Sequence, residues 1–251
     1  TTHSIVDLSQ YGALAKAGTA APLRVLTELM EDSRISKAEL HILALDLKKA
    51  FDTCEFWSQA LSWRALGMPE EAIKILINLD AGSNSPADPY EGSGATTSVI
   101  LDAGRTTRPF AHGRGVRQGS VGGPIKWVIF MDWWMKWIKR TMKGKGYEMS
   151  HTSLNKDRTI SANDEGDMSM RQRDDEEAAE VVGQMLVDDS IWTTRSATAA
   201  EEMARRCELF CAFHRVIINT DKTEYMAMHD TETQIRWTPT PQHKNNREVN
   251  P

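Results

Sequence analysis

Residues Gly183 to Trp192 read GQMLVDDSIW: an apolar run enters two adjacent aspartates, and an apolar run leaves them. Met185, Leu186 and Val187 have the composition of a short buried strand, and Ser190, Ile191 and Trp192 that of a return strand. Asp188 and Asp189 fall where the chain turns. Adjacent carboxylates repel, and burying them is costly unless a cation neutralises them. A strand–turn–strand that forces two together therefore points to a divalent metal. A solvated Asp-Asp turn has the same local sequence, so the rest of the chain must decide between the two.

The 251 residues allow one large domain or two small ones, and 40% hydrophobic with 26% charged residues is ordinary for a globular chain. No apolar run reaches the roughly 18 residues a membrane helix needs, and there is no signal-peptide pattern, so no membrane partner is expected. The first residue is Thr1 rather than Met, as in a segment of a longer protein. Three cysteines make no disulfide framework, which points to a reducing, intracellular compartment, nucleus or cytoplasm. Cys207, Cys211 and His214 share one helical face; with no fourth ligand apparent, they read as core rather than as a metal site. The formal charge of -5 does not advertise a nucleic-acid binder, yet it is unevenly spread. Residues 161–180 hold eight acidic residues against Arg171 and Arg173, so the rest of the chain is near neutral. That stretch is almost without apolar residues and reads as a solvated or disordered insertion, its Asp174–Asp175 pair included.

Upstream, ELHILALDLKKAFDTCEFW (residues 39–57) opens with a near-continuous apolar strand, typical of a central position in a sheet, and the strand ends at Asp46. Before it, Gly18 and Thr19 precede a helical pattern with Leu23, Leu26, Leu29 and Met30 on one side. After it, Phe56 to Leu66 reads as a helix stopped by Gly67, and Pro69 with Glu70 and Glu71 opens another through about Leu79. Thr96–Leu101 and Thr106–Ala111 read as strands joined at DAGR. GRGVRQGSVGGPIKW (residues 113–127) is rich in glycine, which marks a backbone that turns tightly and lets something approach closely. Pro124 then starts a helix through about Lys139 that is apolar on nearly all sides, its tryptophans reading as core. Thr198 and Glu201 have the spacing of a capping box for a helix through about Phe213. Val216–Ile218 and Glu224–Met228 suggest two short strands around INTDKTEY, and from Thr231 the chain is polar and loose.

Separate strands thus end in carboxylates, Asp46 in one place and Asp188 with Asp189 in another, with Arg114, Arg117 and Gln118 on the loop between and Lys222 late in the chain. These are the parts phosphoryl transfer wants: oxygen ligands for hard divalent cations, and basic groups for a triphosphate.

At these residues the chain resembles the palm of reverse transcriptases, most like those of non-long-terminal-repeat retroelements. LALDLKKAFDT (residues 43–53) looks like motif A, GVRQGSVGGP (115–124) like motif B, GQMLVDDS (183–190) like motif C and INTDKTEY (218–225) like motif D, all in order. SQYGALAKAGT (residues 9–19) resembles the upstream block of the fingers. The resemblance implies RNA-directed DNA synthesis from dNTPs on an RNA template and DNA primer, with two Mg²⁺ or Mn²⁺ ions. It implies that Asp46, Asp188 and Asp189 hold the metals and that Lys222 protonates the leaving pyrophosphate. Leu47, Lys48, Phe51, Arg117, Gln118 and Gly119 would contact nucleotide or template. Phe51, five residues after the first aspartate, would lie under the sugar and exclude a 2′-hydroxyl. A viral RNA polymerase shares this plan but usually carries an acid there, which favours DNA synthesis.

The chain departs from the family in two motifs. Motif C has Leu186-Val187 where an aromatic-X pair is commoner, and motif B has Gly122-Gly123-Pro124 in place of hydrophobic-Ser-Pro. No primer grip or thumb is recognisable past motif D, and a serine-hydrolase elbow at Ser120 lacks its first glycine. The fold expected is α+β: an antiparallel sheet packed on helices, with a partial helical fingers region and the thumb missing. Residues 1–40 are expected in the fingers and 41–230 in the palm, with a fingers-side excursion at about 68–112, the acidic insertion at about 155–180 and a loose tail at 231–251. Remaining fingers and thumb segments of a longer polyprotein would be partners. The rival reading is a catalytically decayed or domesticated palm that binds nucleic acid or protein.

Overall fold

The strand that ends at Asp46 lies inside a four-stranded antiparallel sheet, covered on both faces. In the computed structural model, residues 6–7, 9–12, 18–81, 96–97, 105–108, 110–111, 114–116, 122–149 and 179–229 are described. The sheet runs β10 (Glu224–Met228), β1 (Leu40–Leu45), β8 (Asp189–Thr194), β7 (Gly183–Leu186). Side chains alternate across a strand, and β1 uses both sets. Leu43 and Leu45 enter a core with Trp127, Phe130, Trp134 and Phe210, whereas Leu40 and Ile42 enter a second one with Leu29, Tyr147 and Met149. That division explains the unbroken apolar run, because both faces of β1 are packed and only Ala44 is partly exposed.

One layer is built by α5 (Gly123–Thr141) and α6 (Ala197–Phe213); Trp127, Trp134 and Phe210 bring the largest rings. The other layer is α1 (Ala20–Ser36) with the strand pair β5 (Tyr147–Met149) and β6 (Ala179–Val181). Next to α5, α3 (Phe56–Ala65) and α4 (Glu70–Ala81) close a smaller core of Phe56, Trp63, Ile73 and Ile77. Gly67 follows α3 at φ 80, a left-handed stop that glycine adopts without steric cost.

Two short pairs complete the chain. β2 (Leu47–Lys48) pairs with β9 (Ile217–Ile218), and β3 (Thr96–Thr97) with β4 (Phe110–Ala111). The latter joins the two stretches expected to be strands; the turn between them lies outside the described residues. So do most of the acidic insertion and the tail from residue 230. One local expectation is corrected. Ser196, not Thr198, caps α6: it is extended (φ -157, ψ 155), and its hydroxyl accepts from the Ala199 N–H at 3.2 Å. Thr198 already lies in the first turn, and Glu201 pairs instead with Arg205 one turn on.

Candidate active site

Asp46 sits where β1 gives way to β2, and its position is set from motif D. Ile218 pairs with Leu47, which places Asn219 against Asp46. The Asn219 backbone N–H donates to the Asp46 carbonyl at 2.8 Å, and its side-chain amide donates to Asp46 Oδ2 at 2.6 Å. Lys222 Nζ lies 3.8 Å from the same carboxylate oxygen. The Asn219 carbonyl in turn accepts from the Lys222 N–H and the Thr223 hydroxyl, which closes the turn that carries the lysine.

The second aspartate pair arrives on the neighbouring hairpin. Leu186 is registered with Asp189, so Val187 and Asp188 form a two-residue connection, with Asp188 in the turn and Asp189 on the first position of β8. Leu45 faces Ser190 across β1 and β8, so Asp46 and Asp189 leave adjacent strand ends side by side. Asp188 is half-buried, and Asp189 is exposed. Burial first, then the charges of Asp189 and Asp46, raise the Asp188 carboxyl above its ordinary value, against a lowering by Lys222 and a backbone hydrogen bond. Three carboxylates therefore feel one another at one end of the sheet.

The turn that presents Asp188 is strained. Val187 has φ 62, a position two-residue hairpins usually give to glycine, and for a β-branched side chain this is an outlier. The Trp127 indole N–H donates to the Val187 carbonyl at 2.9 Å. On the far side, Ser9 to Gly12 run beside β7: Met185 N–H donates to Ser9 O at 2.9 Å, and Tyr11 N–H to Met185 O at 2.8 Å. Gly12 comes so close that a Cβ on it would lie 2.4 Å from the Val187 nitrogen.

Phe51 lies on α2 (Ala50–Thr53), half-buried, stacked on Trp127 with ring centroids 5.1 Å apart. The described end of the glycine-rich loop docks there, with Val116 N–H donating to Phe51 O at 2.6 Å. Gly115, at φ 96, leaves no room for a side chain against the same carbonyl. Leu47 is buried, and Lys48 is ion-paired with Asp221 at 3.7 Å. Arg117, Gln118 and Gly119 lie outside the described residues. Asp46, Asp188, Asp189 and Lys222 thus come together from three motifs. Asn219, Trp127 and Gly12 support them and were missed by sequence reasoning. Asn219 stood in a quoted motif; Trp127 read as core; Gly12 carried no separate signal.

Among the described residues, no three His, Cys, Asp or Glu side chains form a ready metal cage. The donor set nonetheless suits a hard cation, since all three acids offer oxygen ligands, and burial, followed by the charges of Asp189 and Asp46, raises Asp188. Cys207 and Cys211 are buried thiols within the core, as their apolar setting predicts. No helix among the described residues is long and apolar enough to cross a membrane.

Comparison with known proteins agrees with this fold. Over 130 residues the chain is 28% identical to the retrovirus-related Pol polyprotein from type-1 retrotransposable element R2 of Nasonia vitripennis, a match that covers 52% of this chain and 11% of that protein. The fold is similar to apo telomerase from Candida tropicalis truncated from its C-terminal domain, with TM-score 0.55 and 13% identity over 90% of this chain and 37% of that one. Telomerase from Candida albicans in complex with a fragment of telomeric RNA gives TM-score 0.52 and 14% identity, covering 89% of this chain and 32% of that one. The chain spans about a tenth of the curated relative and about a third of the telomerase chains. The family described as "Reverse transcriptase (RNA-dependent DNA polymerase)" matches residues 2–244, and the chain, with its α+β palm-like fold, belongs to that family.

Proposed function

We propose that this chain carries the catalytic centre of a retroelement's RNA-directed DNA polymerase, which joins dNTPs to a primer 3′-hydroxyl on an RNA template. The observation that carries this reading is the meeting of Asp46 with Asp188 and Asp189 at one end of the sheet, Lys222 beside them. Asp46 and Asp188 would hold two Mg²⁺ or Mn²⁺ ions, with Asp189 in support. Ions bound there supply charge neutralisation for the attacking and leaving oxygens. The chain's own groups do the rest by positioning. Lys222, its side chain 71% exposed, is free to swing to the leaving pyrophosphate as general acid. Asn219 holds the Asp46 carboxylate in place. Phe51, backed by Trp127, is the ring against which a 2′-hydroxyl clashes, so Phe51→Ala raises ribonucleotide incorporation. Leu47 and Lys48 lie at the nucleotide, and Arg117, Gln118 and Gly119 reach template or nucleotide. On this reading residues 41–230 are palm, residues 1–40 and about 68–112 belong to the fingers, and the other parts of a longer polyprotein complete the enzyme.

A second reading has one observation in its favour. Asp46 Oδ2 is already engaged by Asn219 and Lys222, as in a palm that binds nucleic acid without catalysing. Incubation of the chain with a DNA primer on an RNA template, dNTPs and Mg²⁺ or Mn²⁺, beside a filter-binding assay, separates the two. Extension supports the polymerase; binding without extension supports the non-catalytic palm.

A further inference from the structure

Val187, the strained residue before Asp188, is gripped from two sides, and both grips lead back to α5. On one side the Trp127 indole meets its carbonyl directly. On the other, Gly12 lies against its nitrogen, at the end of the strap from Ser9 that is hydrogen-bonded to Met185. Charged side chains fasten that strap to α5. Asp132 is 1% exposed; its Oδ1 accepts from the Asp7 N–H at 2.6 Å, and Lys136, one turn on, pairs with its Oδ2 at 2.7 Å. Lys139, two turns on from Asp132, donates to Asp7 Oδ1 at 2.6 Å and to the Ser9 hydroxyl at 2.8 Å. The same Asp7 oxygen accepts from the Ser9 N–H at 2.9 Å, which closes the turn leading into the strap. Burial works to raise the Asp7 carboxyl, but Lys139 and the Ser9 groups outweigh it and hold it below its ordinary value.

A buried ion pair adds little stability that apolar packing would not, and its best-attested use is to fix register. Here the register is that of the strap on β7: Ser9 O and Tyr11 N–H must meet Met185 for Gly12 to reach Val187. We propose that Asp7, Asp132 and Lys139 are positioning residues, a clasp that seats the strap so that Val187 is wedged between Gly12 and Trp127 and Asp188 is held at the angle metal binding needs. The clasp acts through the turn. The inference rests on the polymerase reading and adds to it three residues that lie outside every motif.

The test compares the whole chain with Lys139→Met, which keeps the stem and deletes the ammonium, Asp7→Ala, which deletes the other half of the clasp, and Lys139→Arg, which keeps the charge. Single-turnover extension of a DNA primer on an RNA template is measured against dNTP concentration. Mn²⁺ binding is titrated separately by electron paramagnetic resonance, with Asp188→Asn marking the site, and melting is recorded for each protein. Lys139→Met and Asp7→Ala are expected to lower the maximal rate by about ten- to a hundredfold at constant KM for dNTP, and to weaken Mn²⁺ binding about threefold, the effect of a group misplaced rather than lost. Lys139→Arg is expected to restore most of both. Variants that melt lower yet, while folded, extend and bind Mn²⁺ as the wild type does overturn the inference, as does a loss confined to KM or one that Lys139→Arg shares in full. A wild-type chain that binds Mn²⁺ at Asp188 without extending fails the polymerase reading alone, and the Mn²⁺ arm then decides the clasp. One that binds no Mn²⁺ there overturns both.

Discussion

Trp127 donates its indole N–H to the carbonyl of Val187 at 2.9 Å, and so ties the helix after the glycine-rich loop to the strained turn that presents Asp188. The same ring stacks on Phe51. One buried side chain therefore joins three motifs that lie far apart in sequence. Left-handed backbone at a valine costs on the order of 1–3 kcal/mol and persists only where the surroundings hold it. Trp127→Phe keeps most of the packing and deletes the hydrogen bond. The expected outcome is a fall in the extension rate of about tenfold at nearly constant apparent KM, since the turn loosens while the nucleotide walls remain. A change in KM alone would assign Trp127 to nucleotide binding instead.

Asn219 acts on the other carboxylate. Its amide at 2.6 Å and its backbone N–H at 2.8 Å fix both the side chain and the main chain of Asp46. Asn219→Ala leaves the backbone bond and leaves the carboxylate with Lys222 alone. The Mn²⁺ concentration for half-maximal extension is expected to rise about three- to tenfold, the worth of one charge-assisted hydrogen bond. Melting should change little, because the group is only partly buried.

Gly12 is the steric counterpart. Gly12→Ala sets a Cβ 2.4 Å from the Val187 nitrogen, so a backbone must shift, and overpacking of this kind costs about 1–3 kcal/mol. Gly18→Ala is the control, since nothing lies within 4 Å of its Cβ. Denaturant unfolding of the pair should show a loss at Gly12 and almost none at Gly18.

Much of this was legible beforehand, for identifiable reasons. β1 was readable because burial on both faces leaves an unbroken apolar run, and the Asp188 hairpin because two acids interrupt one. Helix α5 was readable because its apolar residues face two cores at once, the rings in one and Ile129 against the other. Tertiary contacts were not. No periodicity distinguishes a core tryptophan from one whose N–H holds a turn, and a glycine without a partner in sequence cannot announce that Val187 lies against it. The cap of α6 shifted from Thr198 to Ser196 because two candidate hydroxyls stood within one turn, and only backbone geometry chooses between them. Gln184 lies inside motif C, and only the structure shows that it is buried without hydrogen-bond partners.

His214 offers a test of the core away from the site. It is 2% exposed, hydrogen-bonded to Ser58 through Nδ1 at 2.9 Å, and enclosed by Phe210, Trp133 and Phe213. Burial lowers its pKa to about 4. The folded chain thus binds this proton less readily than the unfolded one, whose histidine titrates near its ordinary value of about 6.5. Stability from the neutral ring is complete above about pH 6.5 and is lost as pH falls toward 4, by up to roughly 3 kcal/mol. His214→Gln should flatten that slope in urea unfolding between pH 7 and pH 4.5 (about two units of the lost window).

The most direct measurement is single-turnover extension of a DNA primer on an RNA template by the wild-type chain and by Asp188→Asn, at saturating Mg²⁺, with duplex binding measured alongside. The substitution keeps the shape of the turn and removes the charge that a metal needs. The predicted result is wild-type extension that falls by about three orders of magnitude in the variant, with duplex affinity unchanged, because metal-held charge is worth several kcal/mol in the transition state and little in the ground state. Equal extension by the two proteins would contradict a metal site at Asp188.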